Sequence, residues 1–568
     1  MDDISIVVCG EAGQGLQTME LVLTRVLKLA GYHVFATKEY MSRVRGGMNS
    51  TEVRVGSERV DAFVKRIDLL LPLNEGGIRH VADRVSSETI VLGERESIGE
   101  DERGLVSKWI ELPFKKIAAD IGNVIYSNLV IAGAILGLLG VEDEVVGDYL
   151  RSHFARKGED IIRQNLEAAR RGSEIGRSLL RAGEVNIHVA RGREVESEIL
   201  IDGSEAVAMG AIAGGCNFLS FYPMTPGTGV ATFLAQHSEE FDIIVEQSED
   251  EISAMNMAIG AWYGGARGMV TTSGGGFALM VEALSLAGMI ESPLVVHLGQ
   301  RPGPATGLAT RTEQGDLLFT LFAGHGEFPR VVYAPGTLED AFFLTAKAFS
   351  VADKYQVPAI ILTDEYLTDS YHNIPQLDLS SLEIQPSVVR TEEEYRRYRF
   401  TEGGVSPRGI PSFGSGLISV SSDEHDEQGH ITEDRELRRK MVEKRLRKGS
   451  LIEGVVVPPE LIGKQNYRTL VIGWGSTRNV VVEALQDLSR TDVSFLHFKQ
   501  VHPLHPETKK YILAAEKAIV VENNATAQFG QYLKLCTGID IQGKVLKYDG
   551  HPFSKEEVAE GLMRDMEG

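Results

Sequence analysis

Between about residues 196 and 376, apolar strand-like segments alternate regularly with helices, and this pattern restricts the possible folds more than any other feature. Six segments read as buried strands: NFLSFYP, FDIIVEQ, GARGMVTTSG, SPLVVHLGQ, PRVVYAP and VPAIILTD. Strands that alternate with helices indicate parallel pairing with helices on both faces of the sheet. The region is therefore predicted to be an α/β domain with a doubly wound parallel sheet.

The rest of the chain divides around this region. The N-terminal segment opens as strand (ISIVVCG), turn (GEAGQG), amphipathic helix (LQTMELVLTRVLKLAGY) and strand (HVFATKEY), a βαβ pattern. It ends in a long charged helix, about residues 157–182, that we expect to be exposed. A charge-dense, turn-rich segment predicts a connector with one solvated helix, and the last hundred or so residues return to α/β alternation. The predicted segments are 1–195, 196–376, 377–466 and 467–568.

Composition argues against several kinds of partner and site. The net charge of −22 argues against nucleic acid and anionic membranes as partners. The three cysteines, Cys9, Cys216 and Cys536, are far apart and form no CxxC, so a self-contained iron–sulfur or zinc–cysteine site is not expected. No N-terminal signal and no apolar run of roughly 18 residues is visible, so we expect a cytoplasmic protein.

Four loops that contain polar, charged or glycine residues suited to ligand binding follow four successive predicted strands: FYPMTPGTG, QSEDE, TTSGGG and QRPGP. The carboxyl ends of parallel strands meet at one edge of a sheet, where ligands bind. In the first loop Pro223 and Pro226 restrict the backbone around Thr225, which would hold its hydroxyl rigidly at that edge. The next loop after QRPGP adds Arg311, Glu313 and Asp316.

Glu251 admits two interpretations. Ser248 and Glu251 have the spacing of a capping box, which would account for both residues structurally. The helix that follows is almost wholly apolar, so a carboxylate at its mouth would be poorly solvated and suited to relaying a proton.

Four other motifs remain open. GEAGQG, with Gly10, Gly13 and Gly15, either approaches an anion at a helix N-terminus or packs a strand on a helix. In SRVRGG, Arg43 and Arg45 either bind a phosphate or carboxylate or form surface salt bridges. SSDEHDEQGH is a metal site or a hydrated turn, and VVENNATAQFGQ is an interface, a ligand loop or a cap.

These motifs together resemble the α-subunit of the 2-oxoacid:ferredoxin oxidoreductases, in the form whose γ domain is fused at the N-terminus. YPMTP is similar to the family's YPITP, and QSEDEISAMNMAIGA, TSGGGF, QRPGPATGLATRTEQGDL and VVENN…KYDGHPFS follow in the family order. The resemblance covers nearly the whole chain. It implies a γ domain, a pyrimidine-type thiamine diphosphate domain, a connector and a transketolase C-terminal-like α/β domain.

The resemblance also implies an activity. The family decarboxylates a 2-oxoacid oxidatively with coenzyme A, which gives acyl-CoA, CO2 and reduced ferredoxin, and some members run in reverse. A separate β-subunit carries the diphosphate site, Mg2+ and a [4Fe–4S] cluster, so we expect an (αβ)2 assembly that uses thiamine diphosphate. The QRPGPATG form and the fused γ domain favour 2-oxoglutarate, with pyruvate, branched-chain and aryl 2-oxoacids as alternatives. Gly227-Thr228 replaces the family's frequent Ser-Ser and makes the substrate class less specific.

Individual roles follow from the same resemblance. Glu251 matches the glutamate that bonds the aminopyrimidine ring and promotes deprotonation of thiazolium C2. Thr225 and Arg301 match residues that contact the substrate carboxylate, and Arg45 is expected to contact an anionic tail. The expected cofactor-binding residues beside Glu251 are Tyr222, Pro223, Ser273 and Gly274.

Two alternatives belong to other functional classes. One is a non-catalytic scaffold subunit that keeps the fold, in which Glu251 only caps its helix. The other is a nucleotide-binding dehydrogenase built on GEAGQG, against which its GxxGxG spacing counts.

Overall fold

The computed structural model describes residues 3–42 and 47–567, without the side chain of Ser381. It divides into two compact units. The first is built from the chain up to Ile201 together with Asp369–Gln376, and the second from Asp202–Thr368 together with the chain from Leu377 onward.

The first unit holds an eight-stranded sheet and the helices that cover it. Its elements in chain order are β1 (Asp3–Glu11), α1 (Leu16–Leu29), β2 (His33–Glu39), β3 (Met48–Gly56), β4 (Leu69–Pro72), α2 (Gly77–His80), β5 (Ile90–Gly93), α3 (Glu100–Arg103), β6 (Lys108–Glu111), α4 (Phe114–Ile121), α5 (Ser127–Leu138), α6 (Asp143–His153), α7 (Glu159–Ala182) and β7 (Ile199–Asp202), with 3-10 turns at Arg95–Ser97, Val124–Tyr126 and Glu194–Ser197.

The predicted strand–helix–strand opening is present, but β1 and β2 are not neighbours. β3 lies between them and runs antiparallel to both, so that Ile4 pairs with Val55 and His33 with Gly56. The strand order is β6-β5-β4-β1-β3-β2, followed by the strand Tyr371–Ile374, which is β14, and then by β7. Because β3 returns between them, the βαβ unit is split.

The prediction of an exposed helix near residues 157–182 is wrong for one of its faces. α7 buries a stripe of small side chains that includes Ala169 and Ser173, while its charged residues face outward. The backbone of these two residues lies close to Gly133 and Gly137 of α5. Small residues on both helices allow this close approach, so α7 packs against the core.

The second unit holds two sheets. The elements of the second unit are α8 (Gly203–Ala213), β8 (Phe218–Phe221), α9 (Thr228–Gln236), β9 (Ile244–Gln247), α10 (Glu251–Gly264), β10 (Gly268–Ser273), α11 (Gly274–Met289), β11 (Leu294–Gln300), α12 (Leu317–Phe322), β12 (Val331–Tyr333), α13 (Leu338–Tyr355), β13 (Pro358–Asp364), α14 (Glu365–Asp369), a 3-10 turn (Leu379–Ser381), α15 (Arg435–Glu453), β15 (Glu460–Ile462), β16 (Thr469–Trp474), α16 (Thr477–Leu488), β17 (Val493–Phe498), β18 (Gln500–His502), α17 (Thr508–Ala514), β19 (Lys517–Glu522), α18 (Gln528–Thr537), β20 (Gly543–Leu546) and α19 (Lys555–Glu567). In chain order, α14 is followed by β14 (Tyr371–Ile374), which belongs to the first unit and its sheet.

The predicted doubly wound parallel sheet is confirmed. The strand order is β18-β12-β13-β11-β10-β8-β9, and every pair except β12–β18 is parallel. β10, β11 and β13 are buried along their whole length, as expected for central strands covered on both faces. A second sheet of order β15-β17-β16-β19-β20 matches the predicted C-terminal alternation.

The connector differs from its prediction, because its helix is not simply solvated. Lys444 and Lys448 of α15 are almost fully buried and both bind the buried Glu291, at 2.6 and 2.5 Å. Burial lowers the pKa of Lys448 to about 8, although Glu291 partly offsets this effect. Burial alone would raise the pKa of Glu291, but Lys448 and Lys444 hold it well below its usual range. This cluster attaches the connector to the end of α11.

The helices of the part of the chain that the structure describes include none with the length and apolar character needed to cross a membrane.

Candidate functional site

The four loops singled out in the sequence meet at one edge of the seven-stranded sheet. Phe221 at the end of β8 is aligned with Thr271 of β10 and with Gln247 of β9, and Ser273 is aligned with Gly299 of β11. Since these neighbouring strands are parallel and in this register, the loops that follow them start side by side. The prediction that they share one edge is confirmed.

Glu251 is the first residue of α10 and does not cap it. The capping residue is Asp250, whose carboxylate accepts a hydrogen bond from Ser253 N at 2.7 Å, so the predicted Ser248–Glu251 capping box is wrong. Glu251 is only 5% exposed. Its carboxylate bonds to none of the residues that the structure describes. Burial without a structural partner leaves this carboxylate available to a ligand.

Glycines at the start of α11 bring its backbone close to two carboxylates. A Cβ at Gly276 would lie 2.2 Å from Thr272 Oγ1 and 2.8 Å from Glu251 Cγ. A Cβ at Gly274 would lie 2.2 Å from Asp316 Oδ2. Only glycine fits at these positions without a shift of its neighbours. The N-termini of α10 and α11 both face this edge, and their dipoles favour negative charge there.

Arg301 follows β11 and reaches the YPMTP loop. Its Nη1 donates a hydrogen bond of 2.8 Å to the carbonyl oxygen of Thr225, and the residue is 8% exposed. The side-chain hydroxyl of Thr225 is half-buried and bonds to none of the described residues. Tyr222 is 39% exposed and Pro223 is also exposed, so the loop presents an accessible surface beside a buried cation.

Two carboxylates surround Arg301. Burial lowers the pKa of Arg301, while Glu365 and Asp316 counteract that effect. Burial raises the pKa of Asp316 to about 6, and Arg301 partly offsets this rise. Asp316 stood out in the sequence as part of the loop after QRPGP. Glu365, at the start of α14, was missed, although it directly follows a predicted strand that ends at the same edge.

The C-terminal sheet holds the loop that carries Asp316 in place. Gln314 donates from its amide to Trp474 O at 2.9 Å and accepts from Asn523 N at 3.0 Å. Gln528 bonds to Leu318 N at 2.9 Å and to Gly315 O at 2.6 Å. Of the three interpretations of VVENNATAQFGQ, these contacts favour an interface loop.

A buried histidine that bridges two threonines beneath the edge was not found from the sequence. His297 bonds to Thr271 Oγ1 at 2.8 Å and to Thr363 Oγ1 at 2.9 Å, and links β11 to both neighbouring strands. Burial lowers the pKa of His297 to about 3, so the ring is neutral. The only signal was one histidine in the apolar run VVHLGQ.

Three other residues were predicted to bind substrate or cofactor: Arg45, Ser273 and Gly274. Arg45, with Arg43, lies outside the described residues. Ser273 is fully buried and its hydroxyl contacts Met224 Sδ at 3.5 Å, whereas Gly274 opens α11.

Two further motifs have structural roles. In GEAGQG, the space over Gly15 is filled by the Asn128 amide, which donates to Gln14 O at 2.7 Å; this favours the packing interpretation. In SSDEHDEQGH, Glu424 binds Arg445 at 2.8 Å, and the His425 ring packs against the Tyr398 ring with a centroid separation of 3.9 Å. Among the described residues, no group of three or more histidine, cysteine, aspartate or glutamate side chains is placed to hold a metal ion.

Two family models match the chain. Residues 209–444 match the thiamine diphosphate-binding domain of pyruvate flavodoxin/ferredoxin oxidoreductases. Residues 5–175 match the pyruvate ferredoxin/flavodoxin oxidoreductase model. The first match contains Glu251, Arg301 and Asp316.

Full-length relatives and a solved structure are also similar. The α-subunit of a 2-oxoacid:ferredoxin oxidoreductase from Sulfolobus sp. is 32% identical over 99% of this chain and 96% of its own length. The 2-oxoglutarate oxidoreductase subunit KorA of Mycobacterium tuberculosis is 26% identical over 100% of this chain and 92% of its own. The 2-oxoglutarate:ferredoxin oxidoreductase of Magnetococcus marinus, solved with 2-oxoglutarate, coenzyme A and succinyl-CoA bound, is 28% identical with a TM-score of 0.92, and each chain is covered over 100%.

Proposed function

Because the chain belongs to the α-subunits of the 2-oxoacid:ferredoxin oxidoreductases, we propose that it oxidatively decarboxylates 2-oxoglutarate with coenzyme A, giving succinyl-CoA, CO2 and reduced ferredoxin. The choice of 2-oxoglutarate is supported by the ligands of the Magnetococcus marinus enzyme and by the name of the mycobacterial relative.

The observation that carries this proposal is the buried carboxylate of Glu251. It lies at the ligand-binding edge of a parallel sheet, against Gly276, and it neither caps its helix nor bonds to another described residue. A buried acid without a structural partner is suited to bonding a heterocyclic nitrogen and moving a proton. The scaffold alternative required Glu251 to cap α10, and that role belongs to Asp250.

These residues fit thiamine diphosphate. When bound, this cofactor supplies a nucleophilic carbon for the 2-oxo group and an electron sink for the loss of CO2. Glu251 would bond the aminopyrimidine ring, and Tyr222, Pro223 and Gly274 would line the space beside it. Ser273 would contribute its position in the backbone, because its hydroxyl contacts Met224.

The substrate carboxylate would be held by Arg301 and Thr225. The Arg301 guanidinium keeps N–H donors besides the one on Thr225 O, and the Thr225 hydroxyl has no described partner. A guanidinium bound to the backbone of a residue whose hydroxyl is unpaired among the described residues offers donors that suit a carboxylate. Arg45 stays a prediction as a contact for an anionic tail.

Assembly is part of the proposal. A β-subunit would supply the diphosphate site, Mg2+ and the [4Fe–4S] cluster, ferredoxin would accept the electrons, and the complex would be (αβ)2. The three scattered cysteines of this chain support a cluster held elsewhere. The domain boundaries predicted from the sequence also remain predictions.

The test is anaerobic viologen reduction by this chain co-expressed with its β-subunit, in the presence of thiamine diphosphate, Mg2+ and coenzyme A. We supply 2-oxoglutarate, pyruvate, a branched-chain 2-oxoacid and an aryl 2-oxoacid in turn. CoA-dependent reduction with the highest kcat/KM for 2-oxoglutarate is the expected result. A higher kcat/KM for another 2-oxoacid would overturn the substrate, and no reduction by a complex with its cluster intact would overturn the activity.

A further inference from the structure

A second pocket lies in the same unit, away from the loops that form the candidate active site. It has a volume of about 410 Å³ and opens between the loop after α12, the C-terminal half of α15 and the His502–Pro503 turn. This volume falls within the range of small-molecule sites, roughly 300–1,000 Å³. Its apolar wall includes Phe322, which is 61% exposed, and Leu446, which is 42% exposed.

Arg330 lines this pocket and is only 7% exposed. No carboxylate of the described residues lies within ion-pair distance of it, and its Nη1 donates one hydrogen bond, of 3.1 Å, to Thr320 O. The Phe328 ring covers one face of the guanidinium, with its centroid 4.6 Å from Cζ. Burial lowers the pKa of Arg330 to about 10. A buried cation without a counterion is costly, and its remaining N–H groups have no acceptor among the described residues.

The other polar side chains of the pocket are a neutral histidine near Arg330 and two carboxylates that are exposed to solvent. His502 lies near Arg330 and bonds through Nδ1 to Tyr532 Oη at 2.7 Å. Burial and the nearby Arg330 lower the pKa of His502 to about 4, so its ring is neutral. Glu327 and Glu453 also line the pocket, but both are exposed to solvent. The buried charge is therefore positive and the negative charges belong to exposed side chains.

We propose that this pocket binds a small organic anion whose carboxylate or phosphate group pairs with Arg330 and whose apolar body lies along Phe322, Phe328 and Leu446. A planar guanidinium with free N–H groups recognises either anionic group through two parallel hydrogen bonds. The apolar wall supplies the affinity for the body of the ligand, and Arg330 supplies its orientation. The site is independent of the residues assigned to the decarboxylation reaction.

The test is isothermal titration calorimetry on the full-length chain purified with its β-subunit, at constant ionic strength. The probes are phenyl phosphate, benzoate and the neutral benzamide, so that the two anionic groups are compared on one apolar body. Four variants are titrated beside the wild type. Arg330→Gln removes the buried charge, and Arg468→Gln removes an exposed, paired one. Glu453→Gln removes an exposed negative charge from the pocket, and Arg301→Gln removes the cation of the proposed active site.

We expect at least one anion to bind more tightly than benzamide. Arg330→Gln should weaken that binding about tenfold or more, because it loses a charged hydrogen-bond donor. Glu453→Gln should tighten it about twofold by removing a like charge. Arg468→Gln and Arg301→Gln should leave it unchanged, and Arg330→Gln should keep wild-type viologen reduction. Binding lost in Arg301→Gln would assign the anion to the active site and overturn the proposal.

Two further results would overturn it: neither anion binds better than benzamide, or Arg330→Gln binds as tightly as the wild type. If Arg330→Gln does not fold, Glu453→Gln still tests the proposal, because Glu453 is exposed and has no ion pair among the described residues. If Arg330→Gln is destabilised and Glu453→Gln does not bind the anion more tightly than the wild type, the proposal is also overturned. If the wild-type complex reduces no viologen, this result contradicts the proposed function and leaves the pocket proposal unaffected.

Discussion

Asp250 and Glu251 are adjacent carboxylates with different environments. Asp250 bonds to Ser253 N at the start of α10, whereas Glu251 is buried against Gly276 without a partner among the described residues. One stabilises a helix and the other is available for chemistry. Their substitutions should therefore separate folding from turnover.

Replacement of Glu251 by Gln should lower turnover by about 10²–10⁴-fold, because the amide cannot relay a proton. The assembly and the thermal unfolding temperature should stay close to wild type. The measurement is viologen reduction at saturating 2-oxoacid and cofactor.

Two controls accompany this variant. Glu249→Gln changes an exposed neighbouring carboxylate and should have no effect. Asp250→Ala should lower the free energy of unfolding by about 1 kcal/mol and keep turnover. Near wild-type activity of Glu251→Gln would exclude a chemical role for Glu251.

Arg301→Gln should lower kcat/KM for the 2-oxoacid about tenfold or more, mainly through KM. The reason is that a hydrogen bond to a charged group is worth about 1.5–3 kcal/mol. Arg301→Lys keeps the charge and should be less impaired. Equal losses in both variants would show that the positive charge alone does not account for the role of Arg301.

Asp316 should make the stability of the chain depend on pH. Its pKa is about 6 in the folded protein, above the ordinary value of 3.8. Between these values the folded state binds more protons at this group, so the contribution of Asp316 to the free energy of unfolding falls as pH rises from about 4 to 6. Urea unfolding of wild type and Asp316→Asn across this range should show that the difference between the two, wild type minus variant, decreases as pH rises. An unchanged pH profile in that variant would exclude this assignment.

Among the elements, α11 combines two functions. Its first turn is glycine-rich and lies against Glu251 and Asp316, whereas its last turn leads into the Ile290–Glu291 corner that the connector binds. Its apolar faces pack in the core of the sheet. The glycines cost helix stability, and the close approach they permit is the reason for their presence.

Gly276→Ala should reduce turnover about 100-fold, because its Cβ must displace Glu251 or Thr272 by roughly an ångström. The matched control is Gly260→Ala in α10, where a Cβ would meet no atom within 4 Å. That control should raise the free energy of unfolding by about 0.5–1 kcal/mol and keep activity. Normal turnover by Gly276→Ala would show that the close approach of α11 to Glu251 at Gly276 is not required.

Over the second unit as a whole, contacts between residues far apart in sequence hold the site together. Lys444 of the connector binds Glu291 across 153 residues, and Gln314 binds Asn523 across 209. The connector and the C-terminal sheet thus stabilise the loops and helices that converge on the site.

Glu291→Leu should lower the free energy of unfolding by about 3–5 kcal/mol, because it leaves two buried lysines without a carboxylate. The triple variant with Lys444→Met and Lys448→Met should recover most of this loss, since apolar side chains of similar volume replace the whole cluster. Urea unfolding monitored by circular dichroism measures both. Glu443→Gln, on the exposed face of α15, is the control and should change little. A stable single variant would show that the cluster does not anchor the connector.

Local pattern was enough to predict the parallel sheet and the edge at which its loops meet. Strand period, glycine turns and helix starts are properties of short segments, so they could be read without knowing any contact. The same pattern could not decide which residue caps α10, because Ser248 with Glu251 and Asp250 with Ser253 have equal spacing. In the folded chain Ser248 bonds instead to Phe221 O and Met257 Sδ, and Asp250 caps the helix.

Partners distant in the chain decided the rest. The sequence near Lys444 and Lys448 is dense in charge and reads as solvated, and only the folded chain brings Glu291 to them. Two other features likewise depend on segments that meet only after folding. One is the position of β3 between β1 and β2, and the other is the burial of Arg330 beside an open pocket. Secondary structure follows from local energetics, whereas burial and charge pairing follow from which distant surfaces come together.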